Sequence, residues 1–314
     1  MLRRGRWLCW CRPPNRGSVS LSEVFGFLNI DKPHGLTSHD VVGKIRRGLR
    51  VKKVGHAGTL DPLATGVLVI CLGAATRLSE YMMHTRKRYS ARVRLGQATT
   101  TYDGEGEITT QADADHIDQA AVLALLPRFT GDIEQVPPIY SAIKRDGKKL
   151  YEMARAGEDV TPAPRPVTIH ELTITAWRPP HFTLDVVCEA GTYIRSLAHD
   201  IGAALEVGAH LADLRRVASG ALTTESALDL NEILENPDWM HSIIPPDVAL
   251  DHIPALHLDD GDIAHIAHGR RPQSTPPPVA GATVARAHDA DGRLRAILRA
   301  EGGAWRPHKV FHPE

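Results

Sequence analysis

Residues 55–66 read Gly55-His56-Ala57-Gly58-Thr59-Leu60-Asp61-Pro62-Leu63-Ala64-Thr65-Gly66, and the apolar run Val67-Leu68-Val69-Ile70-Cys71-Leu72 follows without a break. A segment so rich in turn formers, joined directly to an apolar run, reads as a shaped loop feeding a buried element. Glycine lets a second backbone or a ligand come close, and Pro62 fixes φ just after the carboxylate. Asp61 is therefore expected at the end of a constrained loop and not on a solvated face. An isolated Asp-Pro pair reads more simply as a turn or helix cap, so the rest of the chain has to supply the other parts of a site.

Around this loop the pattern alternates between strands and helices. Phe25–Ile30 is strand-like, and Asp31-Lys32-Pro33-His34-Gly35 is a turn. Thr37-Ser38 offers an N-cap for a helix to about Leu49, with Val41, Val42 and Ile45 on one face. Lys44, Arg46, Arg47, Arg50, Lys52 and Lys53 follow one another with no acid among them. Such a run is either a solvated face or a surface for phosphates. A helix is expected over 74–83. From Lys87 to Gly96 the chain alternates, with Arg88, Ser90, Arg92 and Arg94 on one face and Tyr89 opening the other. The loop from Gln97 to Gly106 holds Asp103. Helices are expected over 117–126 and 147–156, and strands over 167–176 and 182–188. Gly191-Thr192-Tyr193-Ile194-Arg195-Ser196 turns into a helix to about Leu205, with more helical material over 211–217 and 228–234.

Prolines between Asn236 and Pro246 mark a boundary near residue 250. Beyond it a short helix over 263–268 and strands over 282–288 and 294–299 are expected. The turn Asp289-Ala290-Asp291-Gly292 joins the two strands. The division expected is a basic, disordered extension over 1–24, a main domain over 25–250 and a small β-rich domain over 251–314.

Composition excludes several classes. The 37 basic and 37 acidic residues cancel, so nucleic-acid binding has to rest on local clusters. No apolar run approaches the roughly 20 residues that span a bilayer. Four cysteines are few for 314 residues, and Cys71 and Cys188 sit in apolar or alternating runs, which fits a reducing compartment. Cys9 and Cys11 lack a second pair for a metal site, and His265 and His268 lack an acidic or thiol partner. There is no P-loop, no G-x-G-x-x-G after a strand and no H-E-x-x-H.

The dodecapeptide resembles the catalytic loop of the TruB family, tRNA pseudouridine synthases that isomerise a uridine in the T-loop. Lys32-Pro33-His34-Gly35, Leu95-Gly96 with Thr99 to Asp103, and Gly131 through Pro138 resemble TruB segments in the same order. So do Ser141-Ala142-Ile143-Lys144 and Gly147 through Glu152, and the likeness covers about 25–220. It implies an α+β pseudouridine synthase fold, a mixed and mainly antiparallel sheet flanked by helices. The tail from about residue 251 resembles the PUA-type RNA-binding module that closes many bacterial members.

The resemblance implies Asp61 as the catalytic carboxylate, with Arg195 set against it and Tyr89 at the target uracil. Tyr193 matches a second active-site tyrosine, His56 a histidine that contacts RNA, and Asp103 an acidic residue that contacts active-site partners or RNA. Lys32, Lys52 and Lys53 are expected on the substrate side. The isomerisation needs no metal and no organic cofactor. The partner implied is tRNA, through its T-stem-loop, with no membrane and no obligatory protein partner. A cytoplasmic monomer is expected. A competing reading is an RNA-binding or tRNA-folding factor in which isomerisation is secondary. A guide-RNA-dependent subunit ranks behind both, since such proteins rely on partners and long basic tails.

Overall fold

The computed structural model describes residues 24–140, 144–145, 148–149, 153 and 162–311. A ten-stranded sheet forms its centre. In chain order it takes β1 (Phe25–Lys32), β2 (Val54–Ala57), β3 (Thr65–Gly73) and β4 (Lys87–Leu95), followed by β7 (Gly131–Gln135), β10 (Arg165–Arg178), β11 (His181–Cys188) and β12 (Ala209–Ser219). The short β13 (Leu222–Thr223) and β14 (Leu228–Asp229) complete it. The order is β14-β1-β3-β12-β4-β11-β10-β7, with β2 paired to β3 and β13 to β12. Among the described residues of this sheet, only β1–β14 and β3–β12 run parallel. Two small hairpins lie outside it, β5 (Gln97–Thr99) with β6 (Ile108–Gln111) and β8 (Lys144–Arg145) with β9 (Lys148–Lys149).

The pattern of each strand follows from what covers it. On β3, Leu68, Ile70 and Leu72 face a core shared with helix α1 (Ser38–Gly48) and helix α4 (Ile194–Ala204). Val67, Val69 and Cys71 face a second core built with Phe27, Met82, Leu250, Ile297 and Phe311. Both faces are dry, so the run is apolar throughout. On β4, Ala91 and Val93 are fully buried while Arg88 and Arg92 are exposed. One covered face yields the alternation.

Helix α1 begins at Thr37, whose hydroxyl accepts from the Asp40 N–H while the Asp40 carboxylate accepts from the Thr37 N–H. This capping box fixes where the chain leaves β1 and enters the helix. Val41, Val42 and Ile45 are the buried face, as their spacing requires.

Residues 255–310 form a four-stranded sheet in the order β15 (Ala255–His257), β16 (Val284–His288), β17 (Leu294–Glu301) and β18 (Ala304–Val310). It has its own cluster around Ala285, Ala296, Leu298 and Trp305. Its other side packs on the main sheet through Leu294, Ile297 and Phe311. Phe311 packs against Phe25 with ring centroids 5.0 Å apart and planes tilted by 34°. Lys309 pairs with Glu80 of helix α2 (Ser79–Met83) at 2.5 Å, and Arg77 donates to the Val310 carbonyl at 2.7 Å.

Several expectations need correction. The helix expected over 211–217 is the central strand β12. Leu211, Leu214 and Val217 recur at a helical spacing, but β12 is irregular between Leu211 and Asp213 and again between Arg216 and Ala218. Each bulge adds a residue and breaks the period of two. Val54–Ala57 is a strand, so the dodecapeptide is loop only from Gly58 to Ala64. The helix over 74–83 starts as a 3-10 turn, Ala74–Leu78, before α2. The helix expected over 147–156 falls largely outside the described residues, and Lys148–Lys149 is a strand there. Residues 1–23, Ser141-Ala142-Ile143 and Leu150-Tyr151-Glu152 also lie outside them. Strands β15 and β18 join the two expected in the tail. No helix among the described residues is long and apolar enough to cross a membrane.

Gly66 sits where β3 meets β12, at φ +95°, and a Cβ there would lie 2.2 Å from the Arg216 carbonyl oxygen. Gly66→Ala is expected to cost roughly 2–4 kcal/mol from backbone strain and overpacking combined, read from the shift of the urea midpoint.

Candidate active site

Asp61 lies on a cleft of about 1120 Å³. The loop that carries it is held from three sides. Ser38, buried at the start of α1, accepts from the Leu60 N–H at 2.8 Å and donates to the Leu60 carbonyl at 3.0 Å. The Pro62 carbonyl accepts from the Gly35 N–H at 2.9 Å and from Lys32 Nζ at 3.3 Å. From below, the Arg216 side chain, only 1% exposed, donates to the carbonyls of Val67 at 2.7 Å, Gly58 at 2.9 Å and Thr59 at 3.5 Å. Gly58 takes φ +98°, a turn that glycine makes without strain.

Arg195 reaches Asp61 from the first turn of α4. Its Nε lies 3.0 Å from Asp61 Oδ2, and its Nη1 lies 3.3 Å from Asp103 Oδ2. Nη1 also donates to the Thr101 carbonyl at 3.3 Å, and Nη2 to the Tyr140 carbonyl at 3.0 Å. The Arg195 side chain is 8% exposed and Asp103 is 4% exposed, whereas Asp61 keeps 39% of its side chain open to the cleft. Asp103 has its other oxygen on Thr101 Oγ1 at 2.5 Å and the Glu105 N–H at 3.1 Å. Asp61 is thus the member of the trio that can meet a ligand.

Loss of water raises the Asp61 pKa, and Asp103 pushes the same way. The Arg195 guanidinium, the largest opposing influence, and the Lys32 ammonium pull it back. Lys32 is fully buried behind the loop, donating also to the Pro33 and Leu36 carbonyls at 2.9 and 2.6 Å. Burial lowers its pKa to about 8 against the support of Asp61, with Arg216 adding to the fall.

Tyr89, Tyr193 and His56 line the same cleft. Tyr89 lies opposite Arg216 in the β4–β12 register. Burial raises the pKa of its phenol, against the pull of Arg216. Tyr193 caps α4, and Gln135 holds its backbone, accepting from its N–H at 2.7 Å and donating to its carbonyl at 3.0 Å. Burial and the nearby Arg216 lower the pKa of His56, and its Nδ1 is buried without a hydrogen-bond partner among the described residues. Lys52 and Lys53 are exposed between α1 and β2, outside the cleft lining. No group of three or more His, Cys, Asp or Glu among the described residues is placed to hold a metal ion.

Sequence reading missed Arg216, Ser38 and Lys87. Lys87 is buried at the cleft, donating to the Met82, Met83 and Thr85 carbonyls. The doublet Arg215-Arg216 inside an apolar segment was the available signal. On a strand its two members face opposite ways, and Arg215 pairs outside with Asp31 at 2.6 Å.

Residues 46–194 match the family description "TruB family pseudouridylate synthase (N terminal domain)". Residues 195–251 match the "tRNA pseudouridylate synthase B C-terminal domain". The tRNA pseudouridine synthase B of Cupriavidus metallidurans is 45% identical over 311 residues, covering 95% of this chain and 97% of that protein. That of Symbiobacterium thermophilum is 48% identical over 254 residues, covering 80% and 84%. This chain belongs to the TruB family. Among solved structures, the Cbf5 of a Cbf5-Nop10-Gar1 complex superposes with a TM-score of 0.73 at 29% identity, over 92% of this chain and 85% of that chain. The archaeal box H/ACA sRNP Nop10-Cbf5 complex gives 0.72 at 28%, over 97% and 91%. The fold is the pseudouridine synthase fold expected from the loop, and the chain is a pseudouridine synthase of the TruB family.

Two outcomes follow from this geometry. Ser38→Ala leaves the Leu60 N–H buried and unpaired, with an expected cost of about 1–3 kcal/mol in denaturant melts. For Lys32, the unfolded chain between about pH 8 and 10.5 holds a proton that the folded chain has released. The folded state therefore gains stability as pH rises through that window. Lys32→Met should abolish the gain, so the urea midpoint of the wild type relative to the variant rises from pH 8 upward.

Proposed function

We propose that the protein isomerises the T-loop uridine of tRNA to pseudouridine, with Asp61 as the reacting carboxylate. The observation that carries this reading is the Asp61–Arg195–Asp103 arrangement, in which a buried guanidinium leaves one carboxylate facing an open cleft. The substrate follows from the relatives, which carry the name tRNA pseudouridine synthase B at 43–48% identity.

The reaction breaks the bond between C1′ of the ribose and N1 of uracil, turns the base and joins C1′ to C5. The C5 proton leaves and N1 gains one, so atoms balance without an oxidant or a second substrate. A uridine inside a folded loop has to swing out of the stack to reach Asp61. Tyr89 then supplies an aromatic face to the base, neutral because burial disfavours its phenolate. Tyr193 and His56 line the same cleft and are contacts for the RNA there. Burial raises the pKa of Asp61, and Arg195 opposes that rise and so favours the ionised form that the reaction needs.

The six exposed cations between Lys44 and Lys53 supply phosphate contacts, with Lys52 and Lys53 nearest the loop in sequence. Residues 251–314 serve as an RNA-binding module beside a catalytic domain over 25–250. The protein works as a cytoplasmic monomer.

The test is tritium release from a T-stem-loop RNA carrying 5-tritiated uridine. Wild type should release the label, and Asp61→Asn should bind the RNA and release none. Full release by Asp61→Asn, or binding without release by wild type, overturns the reading. In the latter case a tRNA-folding factor takes its place. The pair Lys52→Ala, Lys53→Ala should weaken binding and lower the slope of log affinity against log salt by about 1–2, one for each phosphate no longer neutralised.

A further inference from the structure

The triplet Thr101-Tyr102-Asp103 touches α4 at two points one helical turn apart. Thr101 and Asp103 hold Arg195, as described above. Between them the Tyr102 ring lies flat on His199, with centroids 3.8 Å apart and planes 13° from parallel. Residues four apart on a helix share a face, so the same side of α4 presents both Arg195 and His199. The rest of the turn is tied to β12. The Tyr102 carbonyl accepts from the Leu211 N–H at 3.0 Å, and the Gly104 N–H donates to the Leu211 carbonyl at 3.0 Å.

Tyr102 takes this position with φ +64°, a conformation that strains any side chain with a Cβ and suits glycine or asparagine better. The turn alone therefore gives no reason for a tyrosine. The ring gives one, because its stack adds a second contact, one helical turn away, between the turn and the helix carrying Arg195.

We infer that Tyr102 is a positioning residue for the Arg195–Asp61 pair, acting through its stack on His199. The inference rests on the reading of Asp61 as the reacting carboxylate. Burial lowers the pKa of His199, so the stack is one of two neutral rings. Asp200, next on the helix, is the charged group beside Tyr102, with its own pKa raised to about 6 by burial. The groups around Asp61 itself are Arg195, Asp103 and Lys32. Without the stack only the contacts of Thr101 and Asp103 with Arg195 join the turn to α4, and Arg195 departs from the geometry in which it opposes the rise of the Asp61 pKa.

The experiment compares wild type with Tyr102→Phe, Tyr102→Asn, His199→Ala and His199→Phe in the tritium assay across pH. Tyr102→Phe and His199→Phe keep two stacked rings and should stay within about threefold of wild type in kcat. Tyr102→Asn tolerates the left-handed backbone but removes the ring. Its kcat should fall about tenfold or more with KM little changed, and the acid limb of its profile should move to higher pH as Asp61 loses its cation. His199→Ala should match it, and the double variant should lose no more than either single one.

A second readout needs no substrate. The Arg195 Nε–H resonance should be sharp in wild type and Tyr102→Phe, and broadened or shifted in Tyr102→Asn. An unchanged resonance in Tyr102→Asn, or a loss in Tyr102→Phe as large as in Tyr102→Asn, overturns the inference. Failure of the wild type to release tritium would count against the proposed function alone, since the resonance tests the Tyr102–His199 contact independently.

Discussion

A single buried guanidinium underlies the active-site loop. Arg216 has almost no contact with water, and the structure gives it no ion pair among the described residues. Its donors go to backbone carbonyls of Gly58, Thr59 and Val67. A loop made mostly of turn formers has no helix or sheet to satisfy its carbonyls, and burying them unpaired costs about 1–3 kcal/mol each. Arg216 satisfies two carbonyls of the loop and one of the following strand from one rigid fork. The loop conformation, the approach of β3 to β12 and the place of Asp61 all depend on that contact.

The cleft is electrically close to balanced. Asp61 and Asp103 face Arg195 and Lys32, and Arg216 adds a cation beneath. The arrangement separates two tasks that one ion pair cannot do together. Asp103 is enclosed and spends its oxygens on Arg195, Thr101 and Glu105. Asp61 shares the same arginine but keeps an open side. Burial and Asp103 push its proton affinity up while Arg195 and Lys32 push it down, so its ionisation is tuned by opposing neighbours.

Much of the fold was legible because it obeys simple periods. The apolar run after Gly66 announced a strand covered on both faces, and the alternation from Lys87 announced one covered on a single face. Thr37 and Ser38 announced the start of α1, and the structure adds Asp40 as the other half of its capping box. Strand β12 was not legible, since its two bulges replace the period of two with spacings that mimic a helix. That error hid Arg216, because on a helix its neighbour Tyr89 could not be inferred. The order of the motifs brought Asp61, Tyr89, Asp103, Tyr193 and Arg195 to attention, yet their convergence depends on long-range pairing that no local pattern encodes. Ser38 was read as a helix cap and proved to be a clamp on Leu60, a contact across 22 residues.

Helix α2 has two duties. Its Glu80 receives Lys309 and His308 of the C-terminal sheet, while Met83 and the following His84 border the cleft. Phe311 is packed on Phe25 at the edge of the same region. The two surfaces are therefore spliced through five residues of helix rather than joined by a tether. A displacement of the C-terminal sheet is carried through that helix to the rim of the cleft, so the two cannot move independently.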